Sequence, residues 1–138
     1  WVSNVGGLTY GWAYRDDKGI PKPGGTRILA GSLGDVRVTR LDDVTLRVHP
    51  LDGFFDSEGY QALRGPARPF HLGEVVKLSN MTATVTALTE DHRPMTVEFR
   101  FATPLERPEW LWMTESGQRL VGWEPPKVGE TVVVKSKL

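Results

Sequence analysis

The chain has 138 residues, in which 17 Lys and Arg balance 17 Asp and Glu, and it contains no cysteine. That length suits one domain, able to bury roughly two thirds of the surface its unfolded chain exposes. Zero net charge offers no long-range attraction to nucleic acid or an anionic membrane, and the lack of cysteine excludes disulfides, thiol catalysis and cysteine-ligated metal.

In chain order, "GLTYGWAY" reads as a strand if Leu8, Tyr10, Trp12 and Tyr14 alternate, and as a helix if Leu8 with Trp12 and Tyr10 with Tyr14 form i,i+4 pairs. "DDKGIPKPGG" is a loop. In "DVRVTRLDDVTLRVHP" the apolar Val36, Val38, Leu46 and Val48 must share a face. A three-residue loop, Leu41 to Asp43, pairs Val38 with Leu46 and Val36 with Val48 and places Arg37, Thr39, Thr45 and Arg47 on the wet face. "FFDSEGYQALRG" predicts a short helix capped by Asp56 or Ser57 and ended by Gly65.

"LGEVVKL" at Leu72 to Leu78 and "VGETVVV" at Val128 to Val134 echo each other as an apolar residue, a Gly-Glu turn and a strand. Between them, "TATVTALTEDHRPMTVEFRF" predicts a hairpin pairing Val85 with Phe99 around the loop Glu90 to Pro94. Its inner face carries Ala83, Val85 and Ala87 opposite Met95, Val97, Phe99 and Phe101. "WLWMTESGQRLVGW" predicts a third hairpin turning at Ser116-Gly117, with Trp112 opposite Val121 and Trp110 opposite Trp123. All three tryptophans then lie on one face and Leu111, Met113 and Leu120 on the other, so both sides are apolar; we expect the tryptophans in the core and the hairpin covered on both sides. The fold class is mainly β: a sandwich or partly open barrel of antiparallel hairpins, about seven to nine strands, with one or two short helices.

No motif with a built-in mechanism is present. "GGTRILAG" and "GSLGD" lack the residues and context of a phosphate loop, and His49, His71 and His92 lack metal-pair spacing. The acidic pairs Asp16-Asp17, Asp42-Asp43 and Glu90-Asp91 fall in turns, where carboxylates support the backbone. Neither a catalytic residue nor a metal or other cofactor is predicted. "NMT" at Asn80 fits a glycosylation sequon.

Three runs carry a family resemblance: "LGDVRVTRLDDVTLRVHPLDGFF", "LRGPARPFHLGEVVKLSNMTATVTALTEDHRPMTVEFRF" and "PLERPEWLWMTESGQRLVGWEPPKVGETV". Together, over Ile28 to Val134, they resemble the carboxy-terminal soluble β-rich domain of uncharacterised multi-pass membrane proteins of bacteria. This chain departs from them at His92, where those relatives carry glycine, and their equivalent of the amino-terminal stretch favours a helix at Leu8 to Arg15. The resemblance implies an extramembrane domain attached to a bacterial membrane on its soluble, extracytoplasmic side. It transfers no catalytic residue. The first residue, Trp1 rather than Met, fits a piece of a longer protein.

Two functions follow as expectations. The first is a non-catalytic interaction or accessory domain whose partner is the rest of its own chain or another protein. The alternative is a carbohydrate-binding module in which Trp110, Trp112 and Trp123 form a stacking platform and Arg119 or Glu124 adds polar contacts. Solvent accessibility of Trp110 and Trp112 separates platform from core.

Overall fold

A computed structural model of the protein describes residues 27–32, 34–56, 68–116 and 119–136. Both predicted helices, at Leu8 to Arg15 and after Asp56, lie outside these residues, and the described part is strand and turn throughout. Eight strands are present: β1 Val36–Arg40, β2 Thr45–Pro50, β3 Val75–Lys77, β4 Met81–Leu88, β5 Pro94–Phe101, β6 Met113–Ser116, β7 Arg119–Gly122 and β8 Thr131–Val134. Six form one antiparallel sheet in the order β3-β4-β5-β2-β1-β8, and β6 and β7 form a separate hairpin. The large sheet is open, with β3 and β8 at its edges, rather than closed into a barrel.

All three predicted hairpins form, each with a register different from the expected one. Val38 pairs with Val48 and Val36 with Pro50, so the first turn holds five residues instead of three. Asp42 causes this: its carboxylate accepts bonds from Val44 N at 2.8 Å and Thr45 Oγ1 at 3.0 Å, while Leu41 N bonds Thr45 O. Thr45, expected on the wet face, is consequently buried. In the second hairpin Val85 pairs with Val97 rather than Phe99, and the loop is Thr89 to Arg93. The ladder is irregular around Ala87, which pairs with Thr96; Thr96 keeps its place on the polar face, buried there beside His49 at 2.8 Å, and Met95 is half-buried. In the third, Met113 pairs with Gly122 and Thr114 with Val121.

One face of the sheet supplies the core. Val36, Val38, Leu46, Val48, Val97 and Phe99 are buried there, with Met81, Val85 and Phe101 beside them. Each such side chain contributes roughly 1.5–3 kcal/mol of transfer free energy. Leu29, Ala30, Phe54 and Leu105 reach the same cluster from loops, and Trp110, Trp112 and Trp123 pack against it.

The repeated Gly-Glu segments turn out to be symmetry mates. In His71–Glu74 and Lys127–Glu130 the third residue, Gly73 or Gly129, has φ of 80° or 83°. That angle is what a type II turn requires of glycine. Each Glu carboxylate accepts a bond from the first residue's N–H, at 3.2 Å in one turn and 3.1 Å in the other. Each Gly N–H donates at 2.8 Å to a neighbouring strand, to Val85 O or to Arg40 O, and those residues return bonds to Glu74 O and Glu130 O. The match continues inward: Ala83 pairs with Phe99 as Val38 pairs with Val48, and Met81 with Phe101 as Val36 pairs with Pro50. At the centre Arg47 opposes Glu98, flanked by Leu46↔Phe99 and Val48↔Val97. A pseudo-two-fold axis through the Arg47–Glu98 pair therefore exchanges β3-β4-β5 with β8-β1-β2.

Candidate functional site

The tryptophan segment is built into the core layer. Trp110 and Trp112 precede β6 and Trp123 follows β7, with Trp123 N bonding Trp112 O at 3.1 Å to extend the ladder. Phe101, inward on β5, meets Trp110 and Trp112 edge-on, each at 5.2 Å between ring centroids. Trp112 in turn meets Trp123 at 6.1 Å and 68°. These are the edge-to-face arrangements that ring quadrupoles favour.

The indole N–H groups are also committed inward. Trp110 Nε1 donates to Thr103 Oγ1 at 2.9 Å and Trp112 Nε1 to Leu105 O at 2.8 Å. All three rings are half-buried. Arg119, exposed at the start of β7, stands in the hairpin whose flanks carry them. The expectation of cover on both sides does not hold: Leu111 is 63% exposed, because the two tryptophans on either side of it turn inward.

Two positively charged side chains that sequence reasoning passed over organise the loops. Arg40, on the core-facing side of β1, is 5% exposed and sits where the pseudo-two-fold places Val85 in the other half. Its guanidinium donates to Asp42 O at 3.0 Å, Asp43 O at 3.3 Å, Pro126 O at 3.4 Å and the Glu106 carboxylate. The bond from Arg40 holds Glu106 below the usual carboxylate range, and Glu106 raises Arg40 in return. No local pattern could reveal this, since Glu106 and Pro126 lie far along the chain.

Arg93 does the same at the other end. It donates to Asp52 O and Phe54 O at 3.0 Å each, and its Nε to Asp91 Oδ2 at 2.6 Å. Arg93, followed by Thr89 Oγ1 at 2.5 Å, pulls the Asp91 carboxyl down to about 2. The neighbouring His92 has φ of 60°, the left-handed conformation that glycine adopts without a Cβ penalty. No known protein family, curated protein or solved structure matches the chain.

The second face of the large sheet is open and polar. Arg47 lies against Glu98, donating from Nε at 3.1 Å and Nη2 at 2.8 Å. Thr39 and Thr131 share a 2.7 Å hydroxyl bond, and His49 Nδ1 lies 2.8 Å from Thr96 Oγ1. Burial, followed by the charge of Arg37, lowers the His49 pKa and favours neutral imidazole. The three histidines are not brought together: His49 is on this face, His71 in the turn before β3 and His92 in the β4–β5 loop. Among the described residues no group of three potential ligands could hold a metal ion, and no helix is long and apolar enough to cross a membrane. Asn80 of the sequon has its side-chain oxygen buried without a protein hydrogen-bond partner.

Proposed function

We propose that the chain is a non-catalytic interaction or accessory domain, the extramembrane part of a bacterial membrane protein, working through its sheet rather than through its tryptophans. One observation carries the interaction role: the six-stranded sheet commits one face to the core and leaves the other face, together with apolar side chains on edge strand β3, open to solvent. Val75 is 49% and Val76 46% exposed there. An edge strand with apolar side chains, and with no strand on its outer side among the described residues, is a surface suited to a partner strand or domain. The membrane setting and the extracytoplasmic side come from the family resemblance alone.

The tryptophans support this reading by their occupation. The N–H groups of Trp110 and Trp112 are bonded within the domain and all three rings pack against the core, so the glycan platform would have to work with half-buried rings. Association of the domain with the remainder of its parent protein, measured by co-purification and analytical ultracentrifugation, tests the proposal. An independent monomer that makes no such contact would overturn it. Tryptophan fluorescence titrated with a glycan panel should remain unchanged.

A further inference from the structure

Charge in this neutral chain is sorted by structure. The ionised side chains within the six strands of the large sheet are Arg37, Arg40, Arg47, Lys77 and Arg100 against one carboxylate, Glu98. The other described carboxylates lie in turns, loops or the small hairpin. Arg40 faces the core, so Arg37, Arg47, Lys77 and Arg100 share the open face with Glu98.

These cations are poorly neutralised. Glu98 is taken by Arg47. Arg100 comes no nearer than 3.9 Å to Asp42, with both side chains more than half exposed, which leaves its charge largely available. Arg37 and Lys77 have no carboxylate partner among the described residues. Lys77 and Arg100 both lie opposite Thr82 on β4, in one row across the sheet, roughly 10 Å apart at the usual strand spacing. Thr39, Thr82, Thr84, Thr86 and Thr131 fill the space between with hydroxyls, and the only aromatic residues of these strands, Phe99 and Phe101, point to the core.

We propose that this face docks on a layer of anionic lipid headgroups. With Arg47 paired to Glu98, the three spaced cations Arg37, Lys77 and Arg100 on a broad surface complement a plane of phosphates, and threonine hydroxyls add hydrogen bonds to them. A six-stranded sheet is too broad for a nucleic-acid groove, which admits a helix or two-stranded ribbon. Without a Phe, Tyr or Trp side chain it also lacks the stacking platform that binds single strands. The membrane setting rests on the function proposed above; the charge pattern does not.

The test is co-sedimentation of the full 138-residue chain with vesicles of phosphatidylcholine alone or with about 30% phosphatidylglycerol. Binding is expected only to the anionic vesicles, at about 0.1 M salt and not at about 0.5 M. The triple variant Arg37→Gln, Lys77→Gln, Arg100→Gln should bind about 100-fold more weakly, at roughly five-fold per cation. These side chains are exposed, so circular dichroism should show the fold retained. A control triple variant, Arg107→Gln, Arg119→Gln, Lys127→Gln, removes the same charge off the sheet and should bind as the parent does. Equal loss in both variants, no binding to anionic vesicles, or tighter binding to a DNA duplex with the same variant sensitivity would each overturn the lipid assignment. Failure here with association to the parent protein intact removes this inference alone, whereas vesicle binding without that association removes only the partner role.

Discussion

Replacing Arg40 with methionine removes the guanidinium while keeping an unbranched stem in the core. Four acceptors lose a bond from Arg40: Asp42 O, Pro126 O, the Glu106 carboxylate, and Asp43 O, which keeps the Leu105 N–H at 3.1 Å. Asp42 and Asp43 are exposed and their carbonyls can turn to water, but Pro126 is buried and its carbonyl is left unsatisfied. That omission costs about 1–3 kcal/mol, and loss of the charge-assisted bond adds about 1 kcal/mol, giving roughly 2–4 kcal/mol in all. At about 3–4 °C per kcal/mol for a domain of this size, Tm should fall by about 6–16 °C. Urea midpoints for Arg40→Met, Glu106→Gln and the double variant would test the reasoning. Glu106→Gln should cost less than Arg40→Met, since its carboxylate is largely solvated and the carbonyl bonds survive. Because Glu106 acts through Arg40, the double variant should be no less stable than Arg40→Met alone. A midpoint for Arg40→Met equal to that of the parent, or strict additivity in the double variant, would refute the idea that this side chain ties the loops together.

Other changes probe the turns. Gly53→Ala should lose at least about 2 kcal/mol in chemical denaturation, because φ is 74° and the new Cβ would meet Thr89 Cγ2 at 2.8 Å and Pro94 O at 3.2 Å. Gly73→Ala and Gly129→Ala face open space at φ of 80° and 83°, so each should cost about 1 kcal/mol from conformation alone, and the two should match. His92→Gly should leave stability unchanged or raise it by up to about 1 kcal/mol in urea melts, as φ is 60° there. The lowered Asp91 pKa stabilises the fold above the unfolded carboxyl value near 4, and that contribution disappears as pH falls through about 2. Acid titrations of the parent and Asp91→Asn, followed by circular dichroism, should therefore diverge above about pH 4 and converge below about pH 2.

Side-chain alternation made the hairpins and most of their inward faces legible, because a two-residue period fixes which residues share a face. It leaves slips of two residues undetected. Val38 faces Val48 rather than Leu46 because Asp42 sets the first turn, and Val85 faces Val97 rather than Phe99 around a loop that Arg93 N closes on Thr89 Oγ1 at 2.9 Å. The tryptophans were legible as a cluster in the core layer, and their anchors were within reach, since Thr103 and Leu105 each stand seven residues before the indole they accept from. Arg40 was not legible: it occupies an apolar slot of the alternation and is justified only by distant partners. Zero net charge was true of the whole chain, yet it gave no hint that cations sit in strands and carboxylates in turns.

The pseudo-two-fold also bears on how the sheet is completed. β3, β4 and β5 follow one another along the chain and can zip up as each emerges, whereas their counterparts β8, β1 and β2 are split between its two ends. Val36 must wait for Val134 and Thr39 for Thr131 before the β1 edge is covered. During synthesis that edge therefore stays bare after its neighbours have formed, and pairing across so long a loop is slow. The half of the sheet made by the meander should set the register, and the strand that arrives last should close the fold onto it.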